Sequence, residues 1–230
     1  WGLKEFPDSL LIILKNDKGI LEPWIMQSGS SSLSKLDIMQ NLNFLDADYN
    51  DISKEMSVLC VNTQNPFPTS NILHFDNKDQ PYGLLSLDDQ LFYRIYRLKK
   101  ANVLFSLHQV CCYDIDSKKI WSIKIPSCYN HQMISINNSL GFYYNDIYID
   151  KQNNTLLVDQ DANYDFMALP TGLTSLKNYK KGFIAVKGGK NIVFLDSKGS
   201  IVSSKAFNSN IEDTYWTRYN PDYIYILYIL

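Results

Sequence analysis

Residues 103–127 read VLFSLHQVCCYDIDSKKIWSIKIPS, and this stretch decides the fold class. Val103 to Leu107, Val110 to Asp114 and Ile120 to Ile125 are three short runs rich in β-branched, aromatic and sulfur side chains, the last two joined by Asp116-Ser117-Lys118-Lys119. Short apolar runs between polar turns spell strands, because a helix needs a longer stretch with a period near 3.6 residues. The design returns at Phe183 to Val186, Ile192 to Leu195 and Ile201 to Ser204, joined by Lys187-Gly188-Gly189-Lys190 and Asp196-Ser197-Lys198-Gly199. Glycine at such positions supplies the positive φ that tight hairpin turns require.

The composition agrees. The chain has 230 residues with 45% hydrophobic and 20% charged side chains, enough to bury a core and unlike a disordered segment. Alanine occurs 6 times against 23 isoleucines and 16 tyrosines, a vocabulary suited to pleated surfaces and poor in the best helix former. A formal charge of −2 offers no basic stripe for phosphates, so no nucleic-acid partner is expected. No apolar run approaches the roughly 20 residues of a helical span, so no membrane partner is expected either. A cytoplasmic location follows as the default, with a removed leader left open because the sequence begins at Trp1. Cys60, Cys111, Cys112 and Cys128 show no CxxC spacing and read as buried thiols, with a hairpin disulfide to Cys128 as the alternative.

Asp76, Asp116, Asp150 and Asp196 punctuate the hairpins at intervals of 40, 34 and 46 residues. Three or four strands in about forty residues match the blade of a β-propeller. The expected architecture is a single all-β, propeller-like domain over 1–230, an array of antiparallel hairpin blades, with a β-sandwich or α+β arrangement as the alternative. An irregular region at about 28–65 is expected to be partly helical. Leu33, Leu36, Met39, Leu42 and Leu45 recur every third residue after a run of serines, and Ile52, Met56 and Leu59 offer a second short face. The C-terminal run Tyr223 to Leu230 is too apolar to leave as an open edge and is expected to pair near Leu10 to Leu14.

The segment Tyr113 to Ser122 resembles the hairpin of quinoprotein-type propeller repeats, where an Asp precedes a polar turn and a Trp opens the next strand. It also resembles the Asp-box of sialidase-like propellers, because Asp116 stands five residues before Trp121. The quinoprotein Thr-Gly turn is replaced by Ser117, Lys118 and Lys119, and the Asp-box Ser and Gly by Asp114 and Lys118. These degenerate matches imply a propeller-like fold and no particular substrate.

Catalytic constellations are missing from the sequence. No Gly-x-Ser-x-Gly elbow occurs, and His74, His108 and His131 stand in no recognisable relation to a nucleophile. Asp159, Asp161, Asn163 and Asp165 alternate as oxygen ligands do in calcium loops. Tyr164 and Pro170 then occupy the positions of the turn glycine and the closing glutamate, which leaves a weak calcium candidate. No cofactor is expected.

Charge is segregated more plainly. Gly141 to Pro170 holds five Asp and one Lys, net −4, whereas Thr171 to Asn210 holds seven Lys and one Asp, net +6. Lys180, Lys181, Lys187 and Lys190 lie in the basic stretch, and Tyr215, Trp216 and Tyr219 follow it with the aromatic surface that interfaces favour. These seven residues form the expected binding surface. The chain therefore reads as a non-catalytic module that binds another protein, an inhibitor or immunity protein that neutralises a toxin being the narrower version. The alternative is a small propeller hydrolase acting on a glycoside.

Overall fold

The computed structural model describes residues 2–6, 9–18, 20–36, 38, 42–62, 68–76, 78, 80–87, 90–125, 131–136, 139–144, 154–217 and 220–228; for 2–6, 215–217, 220–223 and 228 it describes the backbone alone. All regular elements among them are strands. They fall into two compact units, 1–125 and 126–230, each described by itself.

The first unit holds three antiparallel sheets. The first contains β1 (Gly2–Phe6), β2 (Ser9–Lys15), β3 (Leu21–Gln27) and the two-residue β4 (Ser34–Lys35). The second contains β5 (Leu42–Asn50), β6 (Glu55–Asn62), β7 (Thr69–Phe75) and β8 (Pro81–Leu87). The third contains β9 (Arg94–Arg97), β10 (Ala101–Phe105), β11 (Gln109–Asp114) and β12 (Lys119–Lys124). The second unit repeats the plan with β13 (His131–Ile136), β14 (Ser139–Tyr144), β15 (Thr155–Val158) and β16 (Tyr164–Met167), then β17 (Leu173–Tyr179), β18 (Gly182–Lys187), β19 (Asn191–Leu195) and β20 (Ile201–Ala206). A final pair, β21 (Ile211–Thr217) and β22 (Asn220–Tyr228), completes it. Every sheet is an up-and-down meander in chain order.

The middle strands are apolar on both faces because sheets pack on both sides of them. Val58 and Leu73 join Leu11, Ile25 and Phe44 in one core, while their neighbours Leu59 and Ile72 face Ile95, Leu104 and Cys111 in another. In the second unit Ala185 and Val193 pack with Ile134, Tyr143 and Leu176, whereas Ile184, Val186 and Ile192 pack with Ile211, Ile224 and Ile226. That two-sided burial turns the alternating pattern of a half-buried strand into the continuous runs seen in the sequence. Each fully buried aliphatic side chain contributes about 1.5–3 kcal/mol.

One hairpin recurs five times and sets the phase of the repeat. Asn16, Asp76, Asp114, Asp159 and Asp196 each accept, through Oδ1, the backbone N–H groups two and four residues on, at 2.8–3.0 Å. Each also donates its own N–H to the carbonyl four residues on. The last four stand between the third and fourth strands of their sheets. The true anchor of the third repeat is thus Asp114, with Asp116 two residues inside the turn. Asp159 anchors the fourth; Asp150 lies outside the described residues.

The segment expected to be partly helical forms strands instead. β5 and β6 occupy 42–50 and 55–62. The three-residue leucine spacing fails as a helical face because Leu36 is buried while Leu33 and Leu45 are exposed, and Leu45 sits at a bulge between Phe44 and Asp46. The C-terminal strand β22 pairs with β21, not with Leu10–Leu14, since both edges of β2 are taken by β1 and β3.

First strands of successive sheets are laced by side chains. Asp46 and Asp48 of β5 accept the N–H groups of Ile95 and Arg97 of β9 at 3.1 and 2.9 Å, and Asn50 Nδ2 donates to the Arg97 carbonyl. In the second unit the Asn178 amide accepts from Ser135 N and donates to Ser135 O, while Gln132 Nε2 donates to Leu173 O and Gln132 Oε1 accepts from Leu176 N. Positions rise together in each pair, so these neighbouring strands run in the same direction. Polar side chains thus engage backbone groups that a bare strand edge would leave unpaired.

Candidate interaction surface

The basic stretch folds into the sheet β17–β20, and its meander divides the lysines between two ends. Lys180 and Lys181 form the β17–β18 turn, and Ser197 and Lys198 the β19–β20 turn, at one end. Lys187 and Lys190 flank Gly188 and Gly189 in the β18–β19 turn at the other, where both glycines have positive φ. The structure therefore keeps Lys180 and Lys181 together, adds Lys198, and separates them from Lys187 and Lys190.

Close backbone packing fixes the first end. A Cβ at Gly182 would stand 2.1 Å from the Leu195 carbonyl, so only glycine lets the β17–β18 turn seat against the end of β19. Gly199 has φ +82°, and a Cβ there would meet Met167 at the end of β16 and Leu169 in the connection that follows it. Between the two turns lies a hollow of about 350 Å³ lined by Tyr179, Phe183, Phe194 and Val202, with Lys180 and Lys181 at its rim. A second hollow of about 180 Å³ continues from the same lysines past Asn178 of β17 to Ser135 and Ile136 of the preceding sheet. The Lys180 ammonium stands 5.5 Å from the Tyr179 ring centre. Asp196, the single acid of the stretch, has its Oδ1 engaged by Lys198 N and Ser200 N. The result is an apolar hollow bordered by Lys180, Lys181, Ser197 and the turn-bound Asp196, the layout of a protein interface with its core and polar border.

A larger cavity of about 520 Å³ in the first unit is lined by Leu21, Pro23, Leu36, Ile38 and Phe44. Its two charges, Glu22 and Lys35, pair with each other at 2.8 Å and leave it no net charge to present.

The remaining sequence candidates have defined places. Asp159, Asp161, Asn163 and Asp165 lie on the β15–β16 hairpin, where Asp159 Oδ1 accepts Asp161 N and Asn163 N and Asp159 Oδ2 accepts Asn163 Nδ2. The same turn forms at Asn16, Asp76, Asp114 and Asp196 without an alternating carboxylate series, so the turn alone accounts for the acid at its first position. No cluster of three or more metal-ligating side chains occurs among the described residues. Tyr215 and Trp216 lie on β21 with their side chains outside the described set, and Tyr219 lies outside it altogether. Cys60, Cys111 and Cys112 are buried free thiols, so Cys111 and Cys112 form no disulfide; Cys128 lies outside the described residues. Burial pushes the thiols of Cys60 and Cys112 up to about 12, which holds them protonated and unreactive at neutral pH.

No family model matches the chain, and no curated protein matches its sequence. Solved structures do. BBS1N, in complex with ARL6DN, aligns over 99% of this chain and 73% of its own length with a TM-score of 0.56 at 9% identity. The chain has a β-propeller fold. An Hsv2 variant with loop 6CD replaced by a Gly-Ser linker aligns over 96% of this chain and 71% of its own, TM-score 0.55 at 11% identity. PorZ, a surface component of the type-IX secretion system of Porphyromonas gingivalis, aligns over 92% of this chain with a TM-score of 0.51 at 9% identity, and the chain spans 29% of its length. The four-stranded meanders are thus propeller blades, as the forty-residue rhythm implied.

Proposed function

We propose that the chain is a protein-interaction module that presents the hairpin end of β17–β20 to a protein partner with an acidic surface. The observation that carries this reading is Lys180 and Lys181 at an apolar hollow, with Lys198 in the adjacent β19–β20 turn and the one acid of the blade, Asp196, held in that turn by Lys198 N and Ser200 N. Propellers commonly serve as protein-interaction scaffolds, and the similar BBS1N domain is seen in complex with ARL6DN. Neutralising a toxin is one case of this reading, and no residue of the blade selects it over another acidic partner. Three carboxylates on first strands are already engaged within the protein and do not favour the hydrolase alternative: Asp46 and Asp48 accept backbone N–H groups of β9, and Asp213 accepts Lys177 Nζ at 2.8 and 2.9 Å.

The test is affinity capture from the native host with wild type and two charge-reversed variants. Lys180→Glu/Lys181→Glu/Lys198→Glu is expected to lose a partner that wild type retains at low salt, whereas Lys187→Glu/Lys190→Glu at the opposite end retains it. A partner insensitive to the triple reversal, or lost equally with the distal pair, overturns the reading.

A further inference from the structure

The hollow opens onto the start of β20, the outermost strand of its blade, and this strand is unusually bare. All six residues from Ile201 to Ala206 are exposed, and Val202 is 64% exposed. β20 pairs with β19 on one side and with no described strand on the other. Other outer strands carry features that discourage pairing: β8 begins at Pro81, β12 has Lys119 and Lys124 at its two ends, and β16 is four residues long and carries Asp165. β20 reads IVSSKA, with Lys205 its sole charge.

The ladder shows which backbone groups are on offer. Phe207 N donates to Lys190 O at 2.9 Å, and the register continues as Asn191 opposite Ala206, Ile192 opposite Lys205 and Phe194 opposite Ser203. In an antiparallel ladder bonded and non-bonded pairs alternate, so Lys205 and Ser203 aim their peptide groups at β19. Ser204 and Ala206 aim theirs outward.

We propose that the free edge of β20 receives an added strand from an extended acidic segment of the partner, with main-chain hydrogen bonds to Ser204 and Ala206. The proposal rests on the reading of the blade as a protein-docking surface. Charge complementarity selects the occupant: the 171–210 stretch holds seven Lys against one Asp, Lys205 lies on β20 and Lys198 in the turn that leads into it, and Lys181 lines the hollow that reaches Val202. Strand addition draws affinity from main-chain bonds and specificity from alternate side chains, so carboxylates on one face and an apolar residue toward Val202 and the hollow fit this site. A second copy of the chain fits worse, because antiparallel pairing of two such edges brings like charges together.

The experiment uses a fluorescein-labelled peptide Val-Asp-Val-Glu-Ile-Asp, its alternately N-methylated counterpart, and four proteins: wild type, Ser204→Ala, Ser204→Pro and Lys181→Glu/Lys198→Glu. Proline at 204 removes an outward N–H and leaves the β19 ladder intact. Anisotropy is expected to show binding to wild type and Ser204→Ala, with at least a tenfold loss for Ser204→Pro, for the N-methylated peptide and for the charge reversal. Equal binding of the plain and N-methylated peptides to wild type overturns strand addition even if Ser204→Pro fails to fold. If the charge reversal still abolishes that binding, the docking reading stands. Absence of binding by the plain peptide overturns the proposal while the capture experiment decides the reading separately. A dimer in sedimentation that Ser204→Pro dissolves overturns it in favour of a second copy.

Discussion

Arg97 Nη2 donates to Glu55 Oε2 at 2.6 Å from a side chain that is 1% exposed, across two neighbouring sheets of the first unit. The same residue gives its N–H to Asp48 and takes the Asn50 amide on its carbonyl, so three side chains of the preceding sheet hold one position on β9. Its Nε and Nη1 make no hydrogen bond among the described residues, and Glu55 is its counter-charge in the ion pair. Glu55→Ala is expected to cost about 2–4 kcal/mol in urea unfolding, somewhat below the roughly 3–5 kcal/mol of a fully buried broken pair because Glu55 is partly reached by water. Arg97→Met/Glu55→Leu is expected to cost less than the single change, since it removes the stranded charge.

His74 lies in the same layer, and its burial predicts a pH dependence. It is 1% exposed, its Nδ1 is 2.9 Å from Ser57 Oγ, and its ring stacks on Tyr82. Burial, with the Arg97 charge second, holds its pKa down to about 4, below the ordinary 6.5. The unfolded chain then takes up a proton that the folded one refuses. Stability is full above about 6.5 and falls as pH drops from there toward 4, by roughly 3 kcal/mol in all at 1.4 kcal/mol per unit. His74→Phe/Ser57→Ala is expected to flatten urea midpoints across that window; a double variant as pH-sensitive as wild type would refute the assignment.

The recurring hairpin permits an internal comparison. At its fourth position Gly199 has φ +82°, while Ser117 and Ala162 hold the same conformation at +69° and +67° with a Cβ. Ser117→Gly is expected to stabilise the fold by about 0.5–1 kcal/mol, the left-handed strain less the entropy of glycine, and Ala162→Gly to gain less because it also removes a buried methyl group. At the first position Asn16 makes the bonds that Asp114 makes. Asp114→Asn is therefore expected to be nearly neutral and Asp114→Ala to cost about 1–2 kcal/mol. For Asp76, hydrogen bonds from the backbone of Gln80 and Lys78 hold the carboxyl below its usual value, so its contribution is present above the unfolded pKa and lost as pH falls through the folded one. Thermal melts of the four variants at neutral pH check the first statements, and melts of Asp76→Asn beside wild type from pH 3 to 8 check the last, the variant being expected to lose less stability on acidification.

The sequence makes some of these features legible and hides others for physical reasons. Phe183 to Ser204 reads correctly because its runs are short and its turns carry glycine. The phase of the repeat slips at Asp116 because the anchoring acid is recognised by N–H groups two and four residues ahead, and Asp-x-Asp offers two equal choices until those bonds are seen. The segment from Leu33 to Leu45 reads as helical because leucines at every third position mimic a face, whereas a bulge at Leu45 and alternation through Leu42 and Phe44 suit a strand. Lys187 and Lys190 group with Lys180 and Lys181 in sequence, but a strand of six residues sends them to opposite ends of the blade. Gln132, Asn178 and Asp48 escape notice because a side chain that bonds the backbone of another sheet leaves no local pattern.

Gly182 connects the local conformation to the proposed surface and separates two ways of losing it. A methyl group there would approach the Leu195 carbonyl to 2.1 Å, and the obstacle is backbone, so β19 and the β17–β18 turn must part. Gly182→Ala is expected to cost about 1–3 kcal/mol, the usual range for overpacking, and to open the hollow between Phe183 and Phe194. Partner capture should then weaken together with the urea midpoint. Lys181→Glu touches no core atom, so it should weaken capture with the midpoint unchanged to within about 0.5 kcal/mol. If Gly182→Ala lowered stability and left capture intact, the partner would be reading charge alone, and the apolar floor would have no part in recognition.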